Sequence, residues 1–242
     1  MARQLHGKVA IVVGASSGMG RATAARFAAE GARVVVAARN EAPLAGLVDA
    51  IQAADGEAIA VPTDVTDRAQ VQRLLTTALD RFGRIDLLVY ATGTNIPDRS
   101  LDRLTPATWE LLLATNVTGA YHCTQLVVPV MREQGGGLIL YLSTGAVKRA
   151  DASGIAYQAS KCAMSGLAGG TMEEEKRNGI RTSVIFPGLT DTPLVLRRPV
   201  PTPPEVMAHA LQPDDVAAAC LFVATLPERC HVPELVLLPS RL

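Results

Sequence analysis

The sequence predicts an α/β protein built on a single doubly wound parallel sheet of about seven strands, with helices on both faces. Three observations point there. Short apolar runs alternate with longer amphipathic stretches along the chain, the rhythm of repeated strand and helix units. Runs such as Val9–Val13 and Val34–Ala38 are unbroken apolar stretches, as expected of a parallel sheet covered on both faces. The first run also passes through a glycine-rich turn straight into a helical pattern. With 242 residues, 48% of them hydrophobic, there is ample material for one sizeable core. No linker or internal repeat interrupts it, so residues 1–242 read as one domain.

Lys8-Val9-Ala10-Ile11-Val12-Val13 is short enough for a buried strand, and the helical pattern after it covers about residues 18–30. A second strand at about 33–38 contains Val34-Val35-Val36-Ala37-Ala38 and leads to a helix at 41–54. A strand at 57–61, a helix at 67–81 and a fourth strand at 85–90 follow. The long helical stretch 106–134 carries a break near Asn116. After it come a strand at 137–142, a helix at 154–178 and a strand at 181–186. A helix at 213–225 and a strand at 234–238 close the chain, while Pro193 to Pro204 is too interrupted for regular structure.

The formal charge is +0 and the pI about 6.9, so no electrostatic footprint for nucleic acid or an anionic membrane is present. No apolar run is long enough to span a bilayer, and Met1-Ala2-Arg3-Gln4 leads almost directly into the first strand, unlike a cleaved leader. Cys123, Cys162, Cys220 and Cys230 are scattered and suit buried free thiols in a reducing compartment. His6, His122, His209 and His231 show no metal-ligand spacing, and no metal is expected. These features together predict a soluble, cytoplasmic protein.

Two motifs carry chemistry. Gly14-Ala15-Ser16-Ser17-Gly18-Met19-Gly20 lies between the first strand and first helix. Gly14 permits the tight turn, and Gly18 and Gly20 let backbone and helix approach a pyrophosphate, which the exposed N–H groups and helix dipole attract. In Tyr157-Gln158-Ala159-Ser160-Lys161 a phenol and an ammonium stand four residues apart and share one face of a helix. A nearby cation favours a phenolate and moves its pKa from about 10 toward neutrality, so such a pair exchanges a proton with an alcohol or carbonyl. In isolation either motif is an ordinary loop or a solvated turn of helix; together on one α/β chain they point to one site.

From Lys8 to nearly its end the chain resembles the short-chain dehydrogenase/reductase family. Gly14 to Gly20 match that family's TGxxxGxG turn, with Val13 in place of threonine, and Ser16, Ser17 and Met19 fall inside it. The resemblance implies a Rossmann-type sheet and hydride transfer to or from nicotinamide. It implies Tyr157 as the acid/base, Lys161 as the group that lowers its pKa and holds the nicotinamide ribose, and Asn116 as the positioner of a water linking Lys161 to solvent. A serine hydroxyl at the end of the fifth strand usually holds the substrate oxygen. The common spacing puts Thr144 there, with Ser143 the alternative, and adjacent side chains on a strand point to opposite faces. Where the family has NNAG, this chain has Tyr90-Ala91-Thr92-Gly93, so bracing side-chain bonds must be replaced or lost.

The end of the second strand bears on the cofactor. An acidic residue there accepts bonds from a ribose 2′-OH, whereas a cation suits a 2′-phosphate; here Ala38 is followed by Arg39, which favours NADP(H) over NAD(H). Asp64 and Val65 resemble adenine contacts, Ala91, Thr92 and Gly93 approach the cofactor, and Pro187, Gly188, Thr190 and Thr192 resemble the PGxxxT segment that holds the carboxamide. The loop at about 190–210 is expected to cover substrate, and its Arg197 and Arg198 are either solvated or ligands for a substrate carboxylate. The ending resembles the branch that holds NADP-dependent 3-hydroxy acid and serine dehydrogenases and carbonyl reductases. The expected function is NADP(H)-dependent interconversion of a small or medium carbonyl and its alcohol. NAD-linked oxidation and a nucleotide sensor without turnover are the alternatives. The family's habits imply a homo-oligomer, a dimer or homotetramer.

Overall fold

The computed structural model describes residues 3–241. Seven parallel strands lie in the order β3-β2-β1-β4-β5-β6-β7: β1 is Val9–Val13, β2 Arg33–Ala38, β3 Glu57–Pro62, β4 Leu87–Tyr90, β5 Gly137–Leu142, β6 Ile180–Pro187 and β7 Glu234–Leu237. Every expected strand is present. The chain winds outward from β1 to β3 and then returns to place β4 on the other side of β1, so the winding reverses between β1 and β4, and a crevice lies at the carboxyl ends of the strands there.

Helices α1 (Gly18–Ala29), α2 (Glu41–Ala53), α3 (Arg68–Phe82), α4 (Pro106–Leu113), α5 (Gly119–Glu133), α6 (Ile155–Glu175), α7 (Pro204–Met207) and α8 (Pro213–Thr225) connect the strands. Strand alternation sorts the core into two layers. Ile11, Leu88, Ile139 and Tyr141 pack against Leu74 and Leu75 of α3, Val127 and Met131 of α5 and Met164 of α6. Ala10, Val12, Val36 and Leu140 pack against Phe27 of α1, Leu44 and Leu47 of α2 and Val216 and Leu221 of α8.

Local chemistry sets the ends. Asp67 caps α3 by accepting from the Ala69 and Gln70 N–H groups, and the helix stops at Gly83 with φ of 75°. The Thr105 hydroxyl accepts the Thr108 N–H ahead of Pro106 in α4. The expected break near Asn116 is a wide turn over Ala114–Thr118 that separates α4 from α5. The proline-rich stretch is more regular than expected. A 3-10 turn forms at Val195–Arg197, and α7 starts at Pro204, where a missing N–H costs nothing. Cys123 and Cys220 are buried, but Cys162 is exposed on α6, unlike the buried thiol expected there.

Candidate active site

The loops after β1 and β4 lie against each other because glycine lets them. A Cβ on Gly14 (φ 90°) would stand 2.6 Å from the Thr92 nitrogen, and one on Gly20 would stand 2.3 Å from the Gly14 carbonyl oxygen. The α1 N-terminus opens beside them with Ser17 at its cap and no side-chain bond to its first N–H groups. A cavity of about 290 Å³ runs along this floor. Ser16, Ser17, Gly18, Met19, Gly20, Arg39, Asp64, Val65, Ala91, Thr92, Gly93 and Thr192 line it, with Tyr157 and Lys161 at the other end. A second cavity of about 520 Å³ meets the first at Tyr157 and takes in Thr144, Pro187, Gly188, Thr190 and Thr192. Thr192 stands at the junction, where a Cβ on Gly18 would lie 3.0 Å from its methyl. The Thr190 hydroxyl is turned back to donate to the Gly188 carbonyl. Asp64 accepts from the Thr66 N–H and hydroxyl, which closes the turn after β3.

Tyr157 and Lys161 share a face of α6, yet the structure separates their charges. Burial, followed by the charge of Asp151, pushes the Tyr157 phenol up to about 12, while Arg99, the Thr144 hydroxyl and Arg198 pull it down. Lys161 stands one helical turn further along α6. Its Nζ is drawn to carbonyls at the strand ends, donating to Leu142 O at 2.9 Å and Thr92 O at 3.4 Å. Burial lowers the Lys161 pKa to about 7. Gly93 makes room for this ammonium, since a Cβ there would lie 2.9 Å from Nζ.

The two candidate hydroxyls lie just beyond the end of β5 and differ in their partners. Ser143 is buried, lines both cavities and donates to the Lys161 carbonyl, whereas the Thr144 hydroxyl stands beside the Tyr157 phenol in the second cavity. Asn116 lies behind the cavities as a brace. Its Oδ1 accepts the Thr94 N–H at 2.8 Å, and its Nδ2 donates to Thr94 O and to the Ser160 hydroxyl. Both amide hydrogens are thus spent on holding the loop after β4 to α6, and any water would have to use other groups of Asn116.

Tyr90 explains how the chain manages without the asparagine pair. In the wide turn the Gly119 N–H bonds to Ala114 O, five residues back, instead of to Thr115 O, four back. The buried Tyr90 phenol donates to Thr115 O at 2.5 Å. Gly119 leaves the space, since a Cβ there would stand 2.6 Å from the phenol oxygen. β4 is thereby tied to the turn that presents Asn116.

Four charges at the second cavity escaped sequence reasoning: Arg99 from the loop after β4, and Lys148, Arg149 and Asp151 from the segment after β5. Nothing in their spacing marks them, because only the sheet brings these loops together. Arg197 does not face this cavity. It donates to the Thr94 hydroxyl and Asn95 O, while Arg198 lines the cavity wall. Among the described residues no cluster of three or more His, Cys, Asp or Glu is placed to hold a metal, and no helix is long and apolar enough to cross a membrane.

A seven-stranded parallel sheet with a glycine turn at its switch point and a Tyr–Lys helix beside it defines a Rossmann-type α/β protein. The chain belongs to the short chain dehydrogenase family, whose model matches residues 8–199. It is 30% identical over 236 residues to an uncharacterized oxidoreductase of Staphylococcus haemolyticus, covering 98% of this chain and 99% of that one. Among solved structures, a 7α-hydroxysteroid dehydrogenase complexed with NADH and 7-oxoglycochenodeoxycholic acid superposes with a TM-score of 0.89 at 30% identity, covering 98% of this chain and 94% of that one. A metagenomic short-chain oxidoreductase in complex with NADP gives 0.85 at 31% identity, covering 98% and 99%. The protein is therefore an oxidoreductase of this family.

Proposed function

We propose that this oxidoreductase is an NADP(H)-dependent carbonyl reductase or alcohol dehydrogenase, with Tyr157 as general acid/base. One observation carries the reading: the Tyr157 phenol, with the Thr144 hydroxyl beside it, stands where a substrate-sized cavity opens onto the glycine-lined one. The lining fits a dinucleotide, with unpaired helix N–H groups for the pyrophosphate and Arg39 at the far end. Bound there, the cofactor would supply or take up the hydride. Thr144 would hold the carbonyl oxygen for Tyr157, and Lys161 would reach the ribose past Gly93. A phenol near 12 is protonated at neutral pH, which suits proton donation and so reduction of a carbonyl.

NADP(H) is favoured over NAD(H) because Arg39 is exposed, lines the cavity, and has no hydrogen-bond or ion-pair partner among the described residues. Its nearest acid in sequence, Glu41, lies in the first turn of α2 and does not line the cavity. A second copy would suit the face where Leu111, Tyr121 and Gly166 are exposed, in keeping with a homo-oligomer of a cytoplasmic enzyme. The test is NADPH and NADH consumption over a carbonyl panel, in wild type and Tyr157→Phe. Reduction that falls by about 10²-fold or more in the variant supports the reading. Tight NADPH binding with no turnover of any carbonyl would favour a nucleotide sensor instead.

A further inference from the structure

The second cavity is cationic where it meets Tyr157 and apolar beyond. Leu189, Leu194, Val195, Val236 and Leu238 supply its apolar wall, and Val236 and Leu238 are about half exposed. Arg99 and Arg198 face the Tyr157 end from two different loops. Each is held by hydrogen bonds. Arg99 donates from Nε to Ile96 O and from Nη2 to Arg197 O at 2.6 Å, which ties the two loops together, and Arg198 donates to the Thr202 hydroxyl at 3.0 Å. Neither has a carboxylate within 4.0 Å among the described residues.

The other charges of the cavity offset them only in part, Asp151 acting on Arg99 from a distance. Lys148 is paired with Glu234, Arg149 adds a further cation, and Asp151 accepts from the Ser153 N–H. The two guanidiniums are close enough that burial and the charge of Arg198 both lower the Arg99 pKa. Two like charges held beside a reacting phenol, with donors to spare and no carboxylate in contact, are well suited to take an anion between them.

We propose that Arg99 and Arg198 form a carboxylate seat, so that the substrate is an oxo acid or hydroxy acid whose hydrocarbon chain lies along the leucine and valine wall. This rests on the carbonyl/alcohol reading above and narrows its substrate class. In the reductive direction the oxo group takes hydride at carbon and the Tyr157 proton at oxygen, while the carboxylate stays ionised and unreacted. Planar bidentate recognition is what a guanidinium does best, and the apolar wall rejects a short or multiply charged acid.

The test compares 2-, 3- and 4-oxooctanoate with their methyl esters in wild type, Arg198→Met and Arg99→Met. For at least one oxo position, wild type should prefer acid to ester. The acid-to-ester ratio of kcat/KM should fall about 10- to 100-fold in Arg198→Met, as expected for one charge-assisted contact. Arg198→Met is the cleaner variant, because Arg99 also fastens the loops. Calorimetric titration with octanoate, octanamide and octyl phosphate reads the seat without turnover. Octanoate should bind wild type more tightly than octanamide, and lose that advantage in Arg198→Met.

Equal use of acid and ester at every oxo position, or a ratio unchanged by Arg198→Met, overturns the proposal, as does tighter binding of octyl phosphate than of octanoate. Esters reduced in a Tyr157-dependent way with no preference for acids would sink the seat and leave the reductase reading standing. Arg198-dependent octanoate binding with no carbonyl reduced would do the reverse.

Discussion

Replacing Tyr90 by Phe removes one oxygen atom from the middle of the protein and tests how the site is held in place. The ring stays, so little packing is lost; what goes is the 2.5 Å bond to Thr115 O, the carbonyl that the Gly119 N–H passes over. Burial raises the phenol pKa well above its usual value, so the group is a neutral donor at every working pH. A buried acceptor that loses its partner costs about 1–3 kcal/mol. At roughly 2–4 °C per kcal/mol for a domain of this size, Tyr90→Phe should melt about 2–12 °C lower. Asn116 follows the wide turn, so kcat/KM should also fall, by about 10-fold for a shift well under 1 Å. A Cβ on Gly119 would press on the Tyr90 oxygen and, at 2.6 Å, on Val65. Gly119→Ala should therefore destabilise the wild type more than it destabilises Tyr90→Phe, a coupling of about 1 kcal/mol in a double-mutant cycle. Urea unfolding of the four proteins, followed by circular dichroism, measures it. A Tyr90→Phe protein as stable as wild type, or strictly additive losses, would refute the account.

Lys161 is held with its pKa lowered to about 7 by burial, below its value in the unfolded chain. The unfolded state therefore binds more protons between about pH 7 and 10, and stability should rise with pH across that window. Lys161→Met should remove that slope and raise the melting temperature at pH 7 without added nucleotide, while turnover is lost. Arg39→Ala should weaken NADPH binding about 10- to 100-fold and NADH binding by less than about threefold, measured by fluorescence titration; an unchanged ratio rules out the 2′-phosphate contact. For Asp86, burial opposes ionisation, but bonds from Arg84 and the Val9 N–H and the charge of Lys8 more than offset it, and its pKa lies below the usual range. The stability this gives is full at neutral pH and lost as pH falls below about 4. Asp86→Asn should thus cost about 1–3 kcal/mol at pH 7 and progressively less as pH falls below about 4.

The sheet was legible because central strands such as β1, β2 and β4, buried on both faces, leave unbroken apolar runs, and the partly exposed edge strands β3 and β7 fell where the alternation with helices put them. The glycine turn was legible for a related reason, since Gly14 and Gly20 sit where a side chain would strike backbone. The direction of Lys161 was hidden, because it depends on the Thr92 and Leu142 carbonyls that pairing of β4 with β5 brings together. The partner of Tyr90 was hidden too, being a carbonyl exposed by a change of helical register.

The charges around Tyr157 belong to the same hidden class, and they alter the logic of the site. Spacing along one helix makes Lys161 the obvious tuner of the phenol, yet the cations that act on it are Arg99 and Arg198, delivered by the loops after β4 and β6. A tuner that is also a substrate seat changes strength when the seat is filled. A bound carboxylate would cancel much of the two guanidinium charges and leave burial and Asp151 to dominate, raising the phenol pKa further. The loaded site would then hold its proton on Tyr157 more firmly than the free site does. Because a phenol near 12 is protonated in either case, the consequence is a weaker acid: Tyr157 would give up its proton less readily to a bound oxo acid than to a neutral ketone, which leaves both cations uncancelled.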